Sequence, residues 1–244
     1  MPICITLGDP AGIGPEVTFK AIKGIPNHPG IILFAHHNTL KHADNALRIK
    51  PYSGSVEPNG VAAIEVAHQL SPNNHPNDPT NAKIAFECLE TALNHCKQHG
   101  SPLVTAPISK AGFFNAGIPF TDHTTWLKHA FNCPNAGMAF YSTPLNVVLA
   151  TIHIALDQVP KALTKDCIHA ALTNAITFAA TLGINSPTIA IAGLNPHAGE
   201  HGQFGRFEVD ALPAILESFA HGAANIVGPI SPDTVFKGAV DGQY

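Results

Sequence analysis

The residues best suited to chemistry lie in one polar loop, residues 193–205, which follows the short apolar run 188–192. The loop contains four glycines, an asparagine, a glutamate and the histidines His197 and His201. Glycine lets the backbone approach a ligand closely, and a neutral imidazole binds zinc, cobalt or nickel or carries a proton. His197 is therefore a candidate metal ligand or proton shuttle. A loop histidine that bonds only to backbone is the alternative.

A second histidine, His153, follows the apolar run 146–151 in the same way. The run 188–192 has the pattern of a strand that is buried on both faces of a parallel sheet. One strand–helix–strand unit separates the two histidines, and in a parallel sheet this places them at the same edge. The sequence thus predicts that His153 and His197 lie within reach of one metal ion.

A candidate anion site comes earlier, where His123 and Thr124 open a predicted helix. Thr121 or Asp122 can cap this helix. The free N–H groups and the dipole at a helix N-terminus favour a phosphate, so His123 and Thr124 are candidate phosphate ligands. The alternative is that both residues only form part of the cap.

Two further charged residues follow predicted strands or apolar runs. Lys110 comes after the run 103–105, where a cation can meet a phosphate or a carboxylate, or can be an ordinary surface charge. Asp233 follows the run 226–230 and can ligate a metal, orient a histidine, accept a proton, or simply form a turn. Gly12 and Gly14 resemble a phosphate-cradling turn without its remaining residues, so a tight strand-to-helix turn explains them as well.

Composition limits the class of protein. The 244 residues carry 13 basic and 17 acidic side chains, a net charge of -4, without a basic block, which makes nucleic acid a poor candidate partner. Only 12% are charged and 45% are hydrophobic, which favours an extensive subunit interface. The start lacks a signal-peptide pattern and no apolar run reaches the length of a membrane span, so we expect a cytoplasmic protein without a membrane partner. Five cysteines without a C-x-x-C pair indicate reduced core residues.

The elements that must position these residues alternate between strands and helices, which predicts an α/β fold. The predicted strands are 3–7, 31–35, 61–66, 103–105, 146–151 and 188–192. The predicted helices are 15–22, 39–48, 80–99, 165–182, 207–219 and one that begins at His123. We expect two lobes, 1–105 and 106–244, with the metal and phosphate sites in the second.

Four stretches of the chain resemble the 4-hydroxythreonine-4-phosphate dehydrogenase (PdxA) family: 8–16, 117–124, 151–153, and 193–205 together with 233–236. They occur in the family's order, and Asn-Pro-His-Ala-Gly-Glu at 195–200 is a specific signature. The resemblance implies a two-lobed α/β/α fold of the isocitrate/isopropylmalate dehydrogenase type. It also implies a homodimer whose active sites lie between the lobes and draw on both subunits.

The resemblance further implies an NAD- or NADP-dependent oxidation and decarboxylation of 4-phosphohydroxy-L-threonine to 3-amino-2-oxopropyl phosphate, in pyridoxal phosphate biosynthesis. In the family a divalent metal, zinc with cobalt or magnesium as substitutes, is held by three histidines, of which two match His153 and His197. The family's phosphate-binding pair matches His123 and Thr124. Asp233 and Lys110 match catalytic positions near the cleft.

The sequence departs from the family at Asp122, where a smaller residue is common, and at Phe207, where a second acidic residue is common. Family members also continue beyond the point that matches Tyr244, and there supply the third metal histidine and substrate-binding Lys, Asn and Arg residues. Neither His201 nor His221 matches that third histidine. We therefore expect either a fragment or a shortened, impaired protein.

Two other classes stay open at this stage. The same histidine pair would serve a metal-dependent isomerase or hydrolase that acts on a phosphorylated small molecule without nicotinamide. An inactive homologue would keep the phosphate site or the dimer surface and do no chemistry.

Overall fold

The structure is a computed structural model that describes residues 1–43, 45–75, 77–220, 222 and 224–244. The chain forms two compact units, Met1–His129 and Ala130–Tyr244. These units are groups of residues in mutual contact, and the lobes predicted at 1–105 and 106–244 remain a prediction. Among the described residues, no helix has both the length and the apolar character needed to cross a bilayer.

The first unit is built on a five-stranded parallel sheet with the order β3-β4-β2-β1-β5. Its strands are β1 (Ile3–Thr6), β2 (Ile31–Ala35), β3 (Lys50–Pro51), β4 (Val61–Glu65) and β5 (Leu103–Thr105). All five residues of the central strand β2 are buried, as a strand covered on both faces requires. The strand predicted at 31–35 is thus confirmed residue for residue.

The helices of this unit are α1 (Gly14–Gly24), α2 (His37–Leu40), α3 (Pro79–His99), α4 (Lys110–Asn115) and α5 (His123–Ala130). Helix α3 begins after Asp78, whose carboxylate accepts hydrogen bonds from the amides of Thr80 and Asn81 at 2.7 and 3.3 Å. It ends at Gly100, which adopts a left-handed conformation with φ of 69°. Both ends follow from ordinary capping chemistry, and the helix predicted at 80–99 is confirmed.

Hydrophobic residues fill both sides of the sheet. One cluster joins α3 to strands β1 and β2, and the other joins α1 to strands β1, β2 and β4. The most deeply buried members of the two clusters are Cys4, Ile32, Phe34, Ala92 and Leu33, each with 0% exposure. Cys4, Cys88 and Cys96 are buried free thiols, so the prediction of reduced core cysteines is confirmed for these three.

Two predictions for this unit were wrong, and one helix was not predicted. The helix predicted at 39–48 is instead the short helix α2 followed by a separate 3₁₀ turn, Asn45–Leu47. Strand β5, predicted to be buried, lies at the sheet edge, and Val104 is 49% exposed. Helix α4 was not predicted; Ser109 caps it by accepting a hydrogen bond from the Gly112 amide at 2.9 Å.

The second unit contains two small sheets. An antiparallel pair joins β6 (Ala139–Phe140) to β7 (Val147–Val148), and a parallel pair joins β8 (Thr188–Ala192) to β9 (Asn225–Ile230). The helices are α6 (Val159–Ala162), α7 (Lys165–Thr181), α8 (Phe207–Asp210), α9 (Leu212–Glu217) and α10 (Pro232–Val240). The core of this unit centres on three buried residues: Ile168, Leu172 and Leu212.

Some predictions for this unit hold and others fail. Helix α7 is confirmed, with Thr164 as its cap. The helix predicted at 207–219 breaks at Ala211, because Pro213 lies at the start of α9 and cannot continue the hydrogen bonding of α8. Strand β8 is only partly buried, and the strand predicted at 146–151 is two residues long. Apolar composition indicated burial there but did not identify the pairing partner.

Candidate functional site

The loop that carries His197 contains a left-handed turn. Five consecutive residues, 197–201, have positive φ values of 51°, 51°, 82°, 42° and 55°. Glycine adopts this conformation readily, but each L-residue with a side chain loses about 1–2 kcal/mol. Only Gly199 escapes that cost, so the rest of the protein must hold the turn in place. Such strain is found where a side chain has to be aimed at a ligand.

A buried carboxylate fixes the start of this turn. Glu208, in α8, is 4% exposed. It accepts hydrogen bonds from the backbone amide and the side-chain amide of Asn195, at 2.7 and 2.9 Å. Burial alone raises the pKa of Glu208, but these hydrogen bonds outweigh it, and the pKa lies below its ordinary value. Glu208 is therefore ionised at neutral pH and anchors the loop.

Two glycines of the loop pack closely against Asn195 and Glu208. A Cβ at Gly205 would lie 2.4 Å from the side-chain nitrogen of Asn195. A Cβ at Gly199 would lie 2.8 Å from the carbonyl oxygen of Gly205 and 3.1 Å from the carboxylate of Glu208. Both positions exclude a side chain for steric reasons as well as by their positive φ.

His197 pairs with Asp233, which lies in the first turn of α10. The distance from His197 Nδ1 to Asp233 Oδ2 is 3.2 Å, and both side chains are more than half exposed. Ser231 donates its hydroxyl to the same carboxylate oxygen at 2.7 Å. The Ser231 hydrogen bond, aided by His197, holds the pKa of Asp233 below its ordinary value. The sequence allowed several roles for Asp233, and this contact favours the one in which Asp233 orients a histidine.

The consequence for His197 is a defined tautomer. A carboxylate next to Nδ1 favours the proton on that nitrogen and leaves the Nε2 lone pair free. Metal-binding histidines in proteins are commonly held in this way, with a carboxylate behind the ring. The donor chemistry of the His197–Asp233 pair therefore fits a divalent metal at Nε2.

His153 lies in the turn after β7, is exposed and has a φ of 55°. A shared parallel sheet was predicted to bring His153 next to His197, but β7 pairs antiparallel with β6 and is not in the sheet of β8. Among the described residues, His153 and His197 belong to no group of three His, Cys, Asp or Glu ligand atoms within 4.8 Å. Their convergence on one ion remains a prediction from the family resemblance.

The predicted anion site lies in the first unit. His123 is the first residue of α5, as predicted, and its Nε2 is buried without a hydrogen-bond partner. Burial lowers the pKa of His123, with Asp122 opposing the shift, so the ring is neutral near pH 7. This ring nitrogen is therefore the atom of His123 that can form a hydrogen bond with a phosphate.

Asp122 and Lys110 set the charge near this helix end. The carboxylate of Asp122 accepts a hydrogen bond from the Thr125 amide at 2.8 Å, so Asp122 is the cap. Burial raises the pKa of Asp122, but hydrogen bonds from Thr125 and Thr121 and the charge of Lys110 outweigh burial. The pKa of Asp122 therefore lies below its ordinary value. Asp122 is therefore an anion at the position where a phosphate would bind, and exposed Lys110 offsets part of that charge.

The glycine-containing turn after β1 is explained by packing. A Cβ at Gly8 would lie 2.1 Å from the Pro107 carbonyl oxygen, and one at Gly14 would lie 2.2 Å from the Leu7 carbonyl oxygen. Asp9 closes the turn by accepting a hydrogen bond from the Ala11 amide at 2.9 Å. These contacts favour the tight strand-to-helix turn over a phosphate cradle.

Sequence analysis missed the roles of Asn195 and Glu208. The only signal was a glutamate between two apolar residues, Phe207 and Val209, and a sequence pattern does not show which amides that carboxylate meets. His201 is exposed, in the left-handed turn. His221 lies outside the described residues.

Comparison with known proteins gives a consistent result. Residues 27–244 match the family model described as pyridoxal phosphate biosynthetic protein PdxA. The 4-hydroxythreonine-4-phosphate dehydrogenase of Synechococcus sp. (strain JA-2-3B'a(2-13)) is 35% identical over 96% of this chain and 72% of its own length. The enzyme of that name from Chromobacterium violaceum is 32% identical over 96% and 74%.

A solved structure supports the fold. The 4-hydroxythreonine-4-phosphate dehydrogenase of Klebsiella pneumoniae superimposes with a TM-score of 0.84 at 29% identity, covering 100% of this chain and 77% of its own. This similarity confirms the predicted α/β fold of the isocitrate/isopropylmalate dehydrogenase type.

Proposed function

Because the chain belongs to the PdxA family of pyridoxal phosphate biosynthetic proteins, we propose that it oxidises 4-phosphohydroxy-L-threonine. The secondary alcohol becomes a ketone when its carbon gives a hydride to NAD or NADP and its hydroxyl loses a proton. The β-keto acid then loses carbon dioxide and gains a proton, which gives 3-amino-2-oxopropyl phosphate. The chain is accordingly an oxidoreductase.

The proposal rests mainly on the 3.2 Å contact between His197, which lies on the strained turn, and Asp233, which lies in α10. Because the contact uses Nδ1, the lone pair on Nε2 of His197 is free to bind a metal. His153 is the proposed second ligand. Zinc suits imidazole ligands. Cobalt and magnesium are alternatives only because the family resemblance implies them. When bound, the metal lowers the pKa of the substrate hydroxyl and stabilises the charge that develops on its oxygen.

The remaining residues act in binding and orientation. His123 and Thr124 are proposed to hold the phosphate, with the His123 ring donating a hydrogen bond in its neutral form. Lys110 supplies a cation for the substrate phosphate or carboxylate. Asp233 keeps the His197 ring in one orientation throughout, so its main role is positioning. We further propose a cytoplasmic homodimer.

Turnover of 4-phosphohydroxy-threonine with NAD and Zn²⁺ tests the proposal, with NADH followed by its absorbance and carbon dioxide measured separately. We expect both products, and loss of both in His197→Gln. Metal-dependent turnover without NADH would favour the isomerase or hydrolase alternative. Phosphate binding without any turnover would favour an inactive homologue.

A further inference from the structure

A group of side chains of the types that bind metals lies in the first unit and includes none of the residues assigned above. The ligand atoms of His37, Glu65 and His68 all lie within 4.8 Å of one another. No other group of three or more His, Cys, Asp or Glu meets this criterion within the described part of the chain. Glu65 and His68 are exposed and His37 is half-buried, so the group is open to solvent.

The parallel sheet brings these residues together. Strands β2 and β4 are neighbours, and the last residue of β2, Ala35, lies opposite Glu65, the last residue of β4. His37 follows β2 by two residues, and His68 follows β4 by three. The group therefore occupies the carboxyl ends of two adjacent parallel strands, where open α/β sheets commonly bind ligands.

Neighbouring residues fix the backbone on both sides of the group. His36 is 1% exposed, and its ring contacts that of His37 in a tilted arrangement, with a centroid distance of 4.3 Å and an angle of 39° between the ring planes. On the other side, Glu87 accepts a hydrogen bond from the amide of Ala67 at 3.2 Å, and Ala67 has a φ of 59°. The ligand-bearing segments are thus anchored even though the ligands are exposed.

His36 is not itself a ligand. Its Nδ1 accepts a hydrogen bond from the Asn38 amide at 3.1 Å, so a neutral ring carries its proton on Nε2. Neither nitrogen then has a free lone pair for a metal. His36 is a buried support that sets the position of His37.

We propose that His37, Glu65 and His68 bind a divalent cation of the zinc class, at a site that shares no residue with the one proposed at His197. Two imidazoles and one carboxylate suit zinc, and they leave a fourth position for water. Magnesium and calcium prefer oxygen ligands and are disfavoured. Tetrahedral zinc ligands are about 3.3 Å apart by the usual bond lengths. The 4.0 Å between His68 Nδ1 and Glu65 Oε2 closes by a small rotation of two exposed side chains.

The test is calorimetric titration of the whole chain with Zn²⁺ alone. We expect a binding event that is lost, or weakened at least tenfold, in the variant carrying His37→Gln and His68→Gln and in Glu65→Gln. The matched control is His42→Gln, an exposed histidine of the same segment that is outside the group, and it should bind like the unmodified chain. Melting curves without metal check that each variant folds.

The two metal proposals are separable in this experiment. His197→Gln should leave the event assigned to His37, Glu65 and His68 intact while removing the other one. If His197→Gln removed no binding event, the proposed function alone would be contradicted, and the proposal for His37, Glu65 and His68 would still stand. The inference is overturned if both variants of this group fold normally and still bind zinc with the stoichiometry and affinity of the unmodified chain.

Discussion

The carboxylate of Glu208 binds both amide groups of Asn195, its backbone N–H at 2.7 Å and its side-chain amide at 2.9 Å. This pair ties the residue that begins the left-handed turn to a buried position in α8. Because hydrogen bonds to a charged acceptor are about twice as strong as neutral ones, the pair can offset part of the strain in the turn. We therefore expect the orientation of His197 to depend on this pair.

Replacing Glu208 by Gln should therefore destabilise the protein. A Gln side chain can accept only one of the two hydrogen bonds and places its own N–H₂ against the second donor. We expect a loss of about 1.5–3 kcal/mol and a fall in melting temperature of roughly 3–12 °C, measured by calorimetry. Glu217→Gln, at an exposed position in α9, is the control and should change little. Equal melting temperatures for the two variants would show that Glu208 does not stabilise the loop through Asn195.

The same pair predicts a pH dependence of stability. The pKa of Glu208 is lower in the folded chain than in the unfolded chain, so its contribution is complete above the unfolded value of about 4.3. It is lost as the pH falls through the folded pKa. The difference in unfolding free energy between the unmodified chain and Glu208→Gln should therefore shrink on acidification, as urea denaturation across this range will show. A constant difference would mean that the charge is irrelevant.

Asp233→Asn tests whether the carboxylate orients His197. Asn can still accept a hydrogen bond from Nδ1 but removes the charge behind the ring. Zinc affinity at the His197 site should fall by about 10–100-fold. The titration is done in a His68→Gln background, to silence the other proposed site. Asp241→Asn, which removes a carboxylate from the end of the same helix, should bind zinc normally. Similar affinities in both would argue against orientation by Asp233.

Asp122→Asn tests the anion site. Asn preserves the helix cap but removes the negative charge that would face a phosphate. The affinity for 4-phosphohydroxy-threonine, measured by calorimetry, should rise roughly three- to tenfold because of the lost repulsion. Asp157→Asn, at an exposed position in the second unit, controls for net charge. A fall in affinity would show that Asp122 helps to bind the substrate.

The first unit was largely predictable because its signals are local. The strand 31–35 is an uninterrupted apolar run, and the ends of α3 are marked by Asp78 and Gly100. The exposure of Val104 was not predictable, because it depends on the edge position of β5. Strand order is decided by pairing between distant segments.

The second unit shows the same limit more strongly. The runs 146–151 and 188–192 look alike as sequences, but one forms a two-residue antiparallel pair and the other a longer parallel pair. The two runs therefore do not share a sheet edge, and the expected proximity of His153 to His197 does not follow from their strands.

The sequence by itself determined the α/β class, the principal helices of both units and the loop that carries His197, because hydrophobic period, caps and glycines act over a few residues. Only the tertiary structure decided that Glu208 clamps Asn195 and that Asp233 lies against His197. It also decided that His37 and His68 meet Glu65 at the ends of two strands. Each of these contacts joins residues whose separation along the chain carries no information about their distance in space until the backbone between them has folded.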